Sequence, residues 1–214
     1  MGFGVKNTTL IRPLDLLCPH FCRGCGRLGE ILCECCKNDI LESSKLDVRQ
    51  RMTANMMSVG WRERLLGELV EAYKYDPVRA MGGALAELLA EVIPSYREEV
   101  VVVPLPTIAR HIRERGFDHM WLIAKRLARL KSWQCERLLV RTKDTVQVGA
   151  NRTERLSQAE GAYEMRRGVR LEAGKVYLLV DDVWTTGASM RAAKKVLHEA
   201  GAKKIRLAVI ATSR

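Results

Sequence analysis

Six residues in one short stretch have the types and order needed to handle a phosphorylated sugar. Asp181 and Asp182 stand together, and Thr185, Thr186, Gly187 and Ser189 follow within a few positions, with Val183, Trp184 and Ala188 between them. The three hydroxyls can donate to a phosphate, and Gly187 leaves room for backbone N–H groups to approach it. Carboxylates have the wrong charge for a phosphate alone, but they suit ribose hydroxyls and a hard Mg²⁺ ion. Together the set suits a ribose phosphate. A plain strand–turn–helix in which Asp and Thr only cap the helix needs one such residue, not six in order.

The flanking residues supply the elements that would hold this chemistry. Val176, Tyr177, Leu178, Leu179 and Val180 form a short apolar run of the kind buried on both faces of a parallel sheet. The two carboxylates end it, which places them at the carboxyl edge, where open α/β sheets bind ligands. From Met190 an apolar pattern at helical spacing runs through Ala193, Val196 and Leu197, and Gly201 stops it. Upstream, Ala54 to Val59 reads as a strand, and Leu65, Leu66, Leu69, Val70 and Tyr73 share one helical face. Asp76 and Pro77 can open another helix, with Val78, Met81, Leu85, Leu88, Leu89 and Val92 on its face. Val100 to Val103 is a second buried strand, and the rigid Pro104-Leu105-Pro106-Thr107 loop after it should emerge on the same edge as the acidic pair. Asp118 can start a helix carrying Leu122, Ile123, Leu127 and Leu130. Leu138 to Val140 is a short strand and Lys204 to Ala211 a final one. The alternation predicts an α/β fold, a doubly wound parallel sheet.

Only one strand follows the helix after the acidic stretch, so a hood over the ligand is expected from about the first sixty residues. That region holds six of the seven cysteines. Cys22 and Cys25 form one Cys-x-x-Cys pair and Cys33 and Cys36 a second, and in a reducing compartment such pairs hold Zn²⁺ rather than disulfides. Four thiolates would close the site and leave no open position for catalysis, so the small N-terminal four-cysteine zinc knuckle is scaffold or contact surface. Cys18, His20 and Cys35 remain spare, and one of them could replace a ligand in a different pairing. The expected division is 1–53 for the knuckle and connector and 54–214 for the α/β domain.

Composition bounds the remainder. The chain has 214 residues, 47% of them hydrophobic, enough to bury a full core. Lys and Arg number 36 against 25 Asp and Glu, a net charge of +11 that favours anionic partners without choosing among them. No apolar run reaches membrane-spanning length, the start lacks a signal-peptide core, and Lys6 stands where myristoylation wants Ser or Thr. A cytoplasmic location without membrane insertion is expected.

The Val176 to Ser189 stretch resembles the 5-phosphoribosyl 1-pyrophosphate (PRPP) signature of the phosphoribosyltransferases: apolar residues, Asp-Asp, two further residues, then Thr-Thr-Gly-x-Ser/Thr. The likeness extends along nearly the whole chain. The cysteine pairs, Tyr73-Lys74-Tyr75, Arg113-Glu114-Arg115-Gly116-Phe117-Asp118, and Gln147-Val148-Gly149 followed by Arg152, Glu154, Arg155 and Gly161-Ala162-Tyr163 resemble, in order, the ComF/GntX family. Tyr73, Gln158 and Tyr163 depart from the residues usual there, and a loop around Val146 is one residue short.

The resemblance implies a type I phosphoribosyltransferase-like domain behind a zinc knuckle, with Mg²⁺ accompanying PRPP. It implies Asp181 and Asp182 as the catalytic acids and Val183 to Ser189 as the phosphate cradle. Lys74, Thr107, Arg113, Arg115, Lys143 and Arg152 would contact pyrophosphate or belong to a closing loop. It also implies a place in natural competence, the uptake of single-stranded DNA, with competence machinery such as a DNA-uptake helicase as partner. Three functions follow: an accessory factor in DNA uptake, an active phosphoribosyltransferase with an unknown acceptor, and a PRPP-responsive regulator. Arg110, Arg113, Arg115, Lys125, Arg126 and Arg129 form a candidate basic strip for DNA, although Arg126 and Arg129 also read as ordinary solvated surface. His111, His119 and His198 read as packing residues.

Overall fold

Runs of β-branched and aliphatic residues build the centre of the molecule, because only a strand covered on both faces can bury them all. The computed structural model describes residues 20–45, 56–75, 79–142 and 161–213. Strands β1 (Met56–Trp61), β2 (Val100–Pro104), β3 (Gln134–Cys135), β6 (Val176–Trp184) and β7 (Lys204–Thr212) form one sheet in the order β1-β7-β6-β2-β3, with every pairing parallel. Strands β4 (Leu139–Arg141) and β5 (Tyr163–Met165) form a separate antiparallel pair.

Alternation along the strands divides the core in two. Val100, Val102, Val176, Leu178, Val180, Ala208 and Ile210 face helices α2 (Arg64–Tyr75), α3 (Met81–Val92) and α5 (His119–Lys131). Val101, Val103, Tyr177, Leu179, Leu207 and Val209 face the helix after β6, here α6 (Ala188–Glu199), and the β4–β5 pair. Helices on both faces of a parallel sheet make the expected doubly wound fold. The remaining helices are α1 (Glu34–Lys45) in the cysteine region and α4 (Ala109–Arg115) after the proline loop.

Some elements differ from expectation for identifiable reasons. β6 does not stop at the acidic pair: Asp181 pairs with Val209, Val183 with Ala211 and Trp184 with Thr212, because β7 continues alongside it. α4 was invisible to apolar periodicity because it buries none of its residues. The strand expected at Leu138 to Val140 lies at Leu139–Arg141, outside the main sheet. Asp76, Pro77 and Val78, expected to open α3, lie outside the described residues, as do Cys18, Lys143, Gln147, Gly149 and Arg152.

The cysteine region packs into the α2–α3 side of the core rather than standing apart. Cys22, Leu32, Cys33, Cys36 and Ile40 are buried in one cluster with Val59, Leu66 and Leu69. Contact is close enough that a Cβ on Gly24 would lie 2.6 Å from Cys36 Sγ and 2.7 Å from Leu65 Cδ2. Lys37 of α1 adds an ion pair to Glu87 of α3 at 2.7 Å. Much of the stretch from which a hood is expected, 1–19 and 46–55, lies outside the described residues. Among the described residues, the side chain from this half of the chain that reaches the acidic pair is Lys74 at the end of α2, not one from the knuckle.

Candidate phosphate and acidic-pair site

The turn after β6 is shaped by Gly187, which adopts the left-handed conformation (φ 71°) as the N-cap of α6. A side chain there would be strained, and its Cβ would clash with the Trp184 ring, so that ring closes one side of the turn. Thr186 Oγ1 accepts from the Ala188 N–H at 3.3 Å, and Arg191 donates to the Thr186 carbonyl at 2.8 Å. Thr185 is exposed and Ser189 half-buried, so their hydroxyls stand at the mouth of a helix N-terminus.

Because β6 runs through the acidic pair, its two carboxylates leave opposite faces of the sheet. Asp182 Oδ2 lies 3.0 Å from Lys74 Nζ and 3.3 Å from His119 Nε2, on the face covered by α2 and α5. Burial works to raise the Asp182 pKa, but His119 and Lys74 outweigh it and hold the carboxyl well below the usual carboxylate range. Asp181 accepts from the Asp182 N–H at 2.9 Å, on the face of β4–β5. Burial and the neighbouring Asp182 push its carboxyl well above the usual range, against a smaller opposing pull from the Asp182 N–H, Lys74 and Arg141. Arg141 donates to the Tyr163 hydroxyl at 2.9 Å, and that hydroxyl also interacts with Ser189. Asp182 is therefore held in direct contact by Lys74 and His119. Asp182, kept ionised at the strand end, is an oxygen donor of the kind that a hard divalent cation takes.

The proline loop does emerge beside the pair: Pro104 pairs with Val180, and Leu105 N–H donates to the Val180 carbonyl at 2.8 Å. Thr107 Oγ1 donates to Asp118 Oδ1 at 3.2 Å, and Asp118 caps α5 by accepting from the Trp121 N–H at 3.1 Å. α4 contributes to the walls of two cavities. One, of about 500 Å³, is lined by Lys74, Tyr75, Arg110, His111, Arg115 and Phe117 among others. The second, of about 440 Å³, includes Thr107, Asp118, Arg137, Arg141, Thr142 and Arg166. Arg115 thus lines the first cavity together with Lys74, which contacts Asp182, and Thr107 lines the second, whereas Arg113 is exposed and lines neither.

Cys22, Cys25, Cys33 and Cys36 bring their sulfurs within 4.8 Å of one another. Four sulfurs each about 2.3 Å from one zinc stand about 3.8 Å apart, so the set fits a closed four-cysteine site after small adjustment. Cys33 N–H donates to Cys22 Sγ at 3.3 Å. Burial opposes ionisation of Cys22, but backbone N–H groups of Cys33, Cys25 and Gly24 outweigh it and bring its pKa down to about 6, favouring the thiolate that binds metal. Cys35 is exposed, and neither it nor His20 joins the cluster.

Other residues fall differently from their sequence reading. Arg126 is half-exposed and ion-paired: it donates to Glu87 Oε1 at 3.1 Å while Lys37 takes Glu87 Oε2. His119, read as packing, is buried but contacts Asp182, and Arg115 Nη1 lies 3.0 Å from its Nδ1. The available signal was its place on the apolar face with Ile123 and Leu127, directly after the capping Asp118. Arg141 carried no signal at all, because β4–β5 had to form before it could face Asp181.

Residues 74–214 match the family described as Phosphoribosyl transferase domain. The chain is 27% identical over 185 residues to the Competence protein ComFC of Streptococcus pneumoniae (strain ATCC BAA-255 / R6), covering 84% of this chain and 80% of that protein. It is 25% identical over 186 residues to the Competence protein ComFC of Bacillus subtilis (strain 168), covering 85% and 73%. A solved structure described as the allosteric regulatory enzyme of purine biosynthesis is 19% identical, with a TM-score of 0.45, and the match covers 65% of this chain and 30% of that one.

Proposed function

From the premise that this chain belongs to the phosphoribosyl transferase domain family and is ComF-like, we propose that it binds Mg²⁺-PRPP at the β6–α6 turn and acts as a cytoplasmic accessory factor in the uptake of single-stranded DNA. One observation supports the ligand: two carboxylates at the carboxyl end of a central strand stand directly before a glycine-capped helix N-terminus ringed by hydroxyls. Thr185, Thr186, Ser189 and the first N–H groups of α6 would hold the 5′-phosphate. Asp181 and Asp182 would face the ribose hydroxyls, and Arg115 and Thr107 the pyrophosphate. Asp181 and Asp182 are the residues that would hold Mg²⁺, which would supply positive charge against the pyrophosphate. The DNA role rests on the likeness to two competence proteins, and among the described residues no helix is long and apolar enough to cross a membrane.

A second reading, transfer of the phosphoribosyl group to an acceptor, is favoured by the intact acidic pair. An ionised Asp182 beside the ribose would steady an oxocarbenium-like sugar as pyrophosphate leaves. Calorimetric titration with PRPP and Mg²⁺, with and without single-stranded DNA, tests both readings. The expected result is Mg²⁺-dependent PRPP binding that Asp181→Asn with Asp182→Asn weakens more than it weakens inorganic phosphate. Unchanged PRPP affinity in that variant would make the acidic pair irrelevant to the ligand. Single-stranded DNA affinity should fall steeply with salt and depend little on sequence, and absence of DNA binding at low salt would leave the transferase reading in its place.

A further inference from the structure

His119 sits where two halves of the site meet. Its ring is buried, and its backbone carbonyl accepts from the Tyr73 hydroxyl at 3.3 Å, with the two rings edge to face at 6.2 Å between centroids. Arg115 Nη1 lies 3.0 Å from Nδ1, and a guanidinium can only donate. Nδ1 therefore offers its lone pair, the proton resides on Nε2, and Nε2–H donates to Asp182 Oδ2 at 3.3 Å. Thr107 Oγ1 lies 3.4 Å from Nδ1 but gives its own proton to Asp118, so it does not compete for that lone pair.

We propose that His119 is a positioning residue that fixes the Asp182 carboxylate through Nε2–H and is itself fixed by Arg115 through Nδ1, so that the cation on the cavity side and the acid at the strand end act as one unit. This role rests on the Mg²⁺-PRPP reading above. A ligand with both a ribose and a pyrophosphate engages Asp182 and Arg115 at once, and His119 keeps the two at the separation that such a ligand requires. Inorganic phosphate, held by the α6 turn alone, does not use this connection. Lys74 holds the same Asp182 oxygen from α2, but as a point charge it constrains distance more than direction.

The test compares His119→Leu, which removes both ring contacts, with His119→Gln, whose amide oxygen can accept from Arg115 and whose NH₂ can donate to Asp182. Calorimetry with Mg²⁺-PRPP should show a loss of about 10- to 100-fold for His119→Leu and restoration of most of it in His119→Gln. Binding of inorganic phosphate should stay unchanged in both. Arg115→Met should cost less in the His119→Leu background than in the wild type, because the two residues act in series. Wild-type affinity in both His119 variants would overturn the positioning role while leaving the PRPP reading intact. Equal losses in both variants that extend to phosphate would mark a packing residue and overturn it too. Wild-type protein that binds no Mg²⁺-PRPP would overturn the PRPP reading and this role with it. Should His119→Leu not fold, ¹⁵N NMR of the ligand-free wild type decides: a proton on Nε2 supports the wiring, and a proton on Nδ1 overturns it.

Discussion

Asp181 and Asp182 are chemically identical neighbours on one strand, yet the two faces of the sheet treat them differently. On the α2–α5 face, Asp182 meets Lys74 and His119 directly. On the β4–β5 face, Asp181 accepts a backbone N–H, and the cation Arg141 is bonded to Tyr163. The difference separates their pKa values in opposite directions, which is how a pair of adjacent carboxylates acquires two roles. It also shows where the more extensive packing lies, since the α2–α5 face includes the cysteine region in its core.

The strongest way to break the comparison is to strip the metal that the four cysteines on that face could hold. A chelator, or Cys25→Ser, should strip one zinc per chain and cost several kcal/mol of stability, because structural zinc contributes its binding free energy to folding. Metal analysis should find one equivalent in the wild type, and hydrogen exchange in the stripped protein should rise first in the elements packed on the knuckle, β1, α2 and α3. Exchange rising first in α6 would contradict the packing of the cysteine region on those elements.

Neutralising each acid in turn sharpens the contrast, because the two stability changes should have opposite signs. The folded pKa of Asp182 is lowered, so its contribution is present above the ordinary value near 3.8 and is lost as pH falls through the lowered one. The folded pKa of Asp181 is raised, so its contribution is complete below 3.8 and is lost as pH rises through the raised one. Urea denaturation at pH 7 should therefore show Asp182→Asn destabilised, by about 1–3 kcal/mol, and Asp181→Asn unchanged or stabilised. Equal destabilisation by both would remove the asymmetry.

The smallest effect belongs to the ion-pair bridge from α1 to α5. Burial works to raise the Glu87 pKa, but Lys37 and Arg126 outweigh it and lower it from the ordinary 4.5, so the bridge stabilises above that pH and fades as pH falls through the lowered value. Glu87→Gln should cost up to about 1 kcal/mol at pH 7 and less at pH 3, read from thermal melts. A cost that does not shrink on acidification would assign the effect to packing.

Strand β6, the turn and α6 were legible in the sequence because each rests on local chemistry: an apolar run, two acids, a glycine between hydroxyls and a 3.6-residue period. The clustering of the four cysteines was legible for the same reason, since two Cys-x-x-Cys pairs are local patterns. α4 escaped because a helix that buries nothing carries no periodicity, and the continuation of β6 past the acids escaped because β7, not the residues of β6, keeps it in the sheet. What the sequence alone determined about this protein is therefore the acidic strand end, the glycine turn with its hydroxyls, and the clustering of four cysteines. What only the tertiary structure decided is which carboxylate is held ionised and by whom. Lys74 and His119 lie 108 and 63 positions from Asp182 along the chain (182 − 74 and 182 − 119), and nothing in their local sequence records that α2 and α5 bring them to one oxygen.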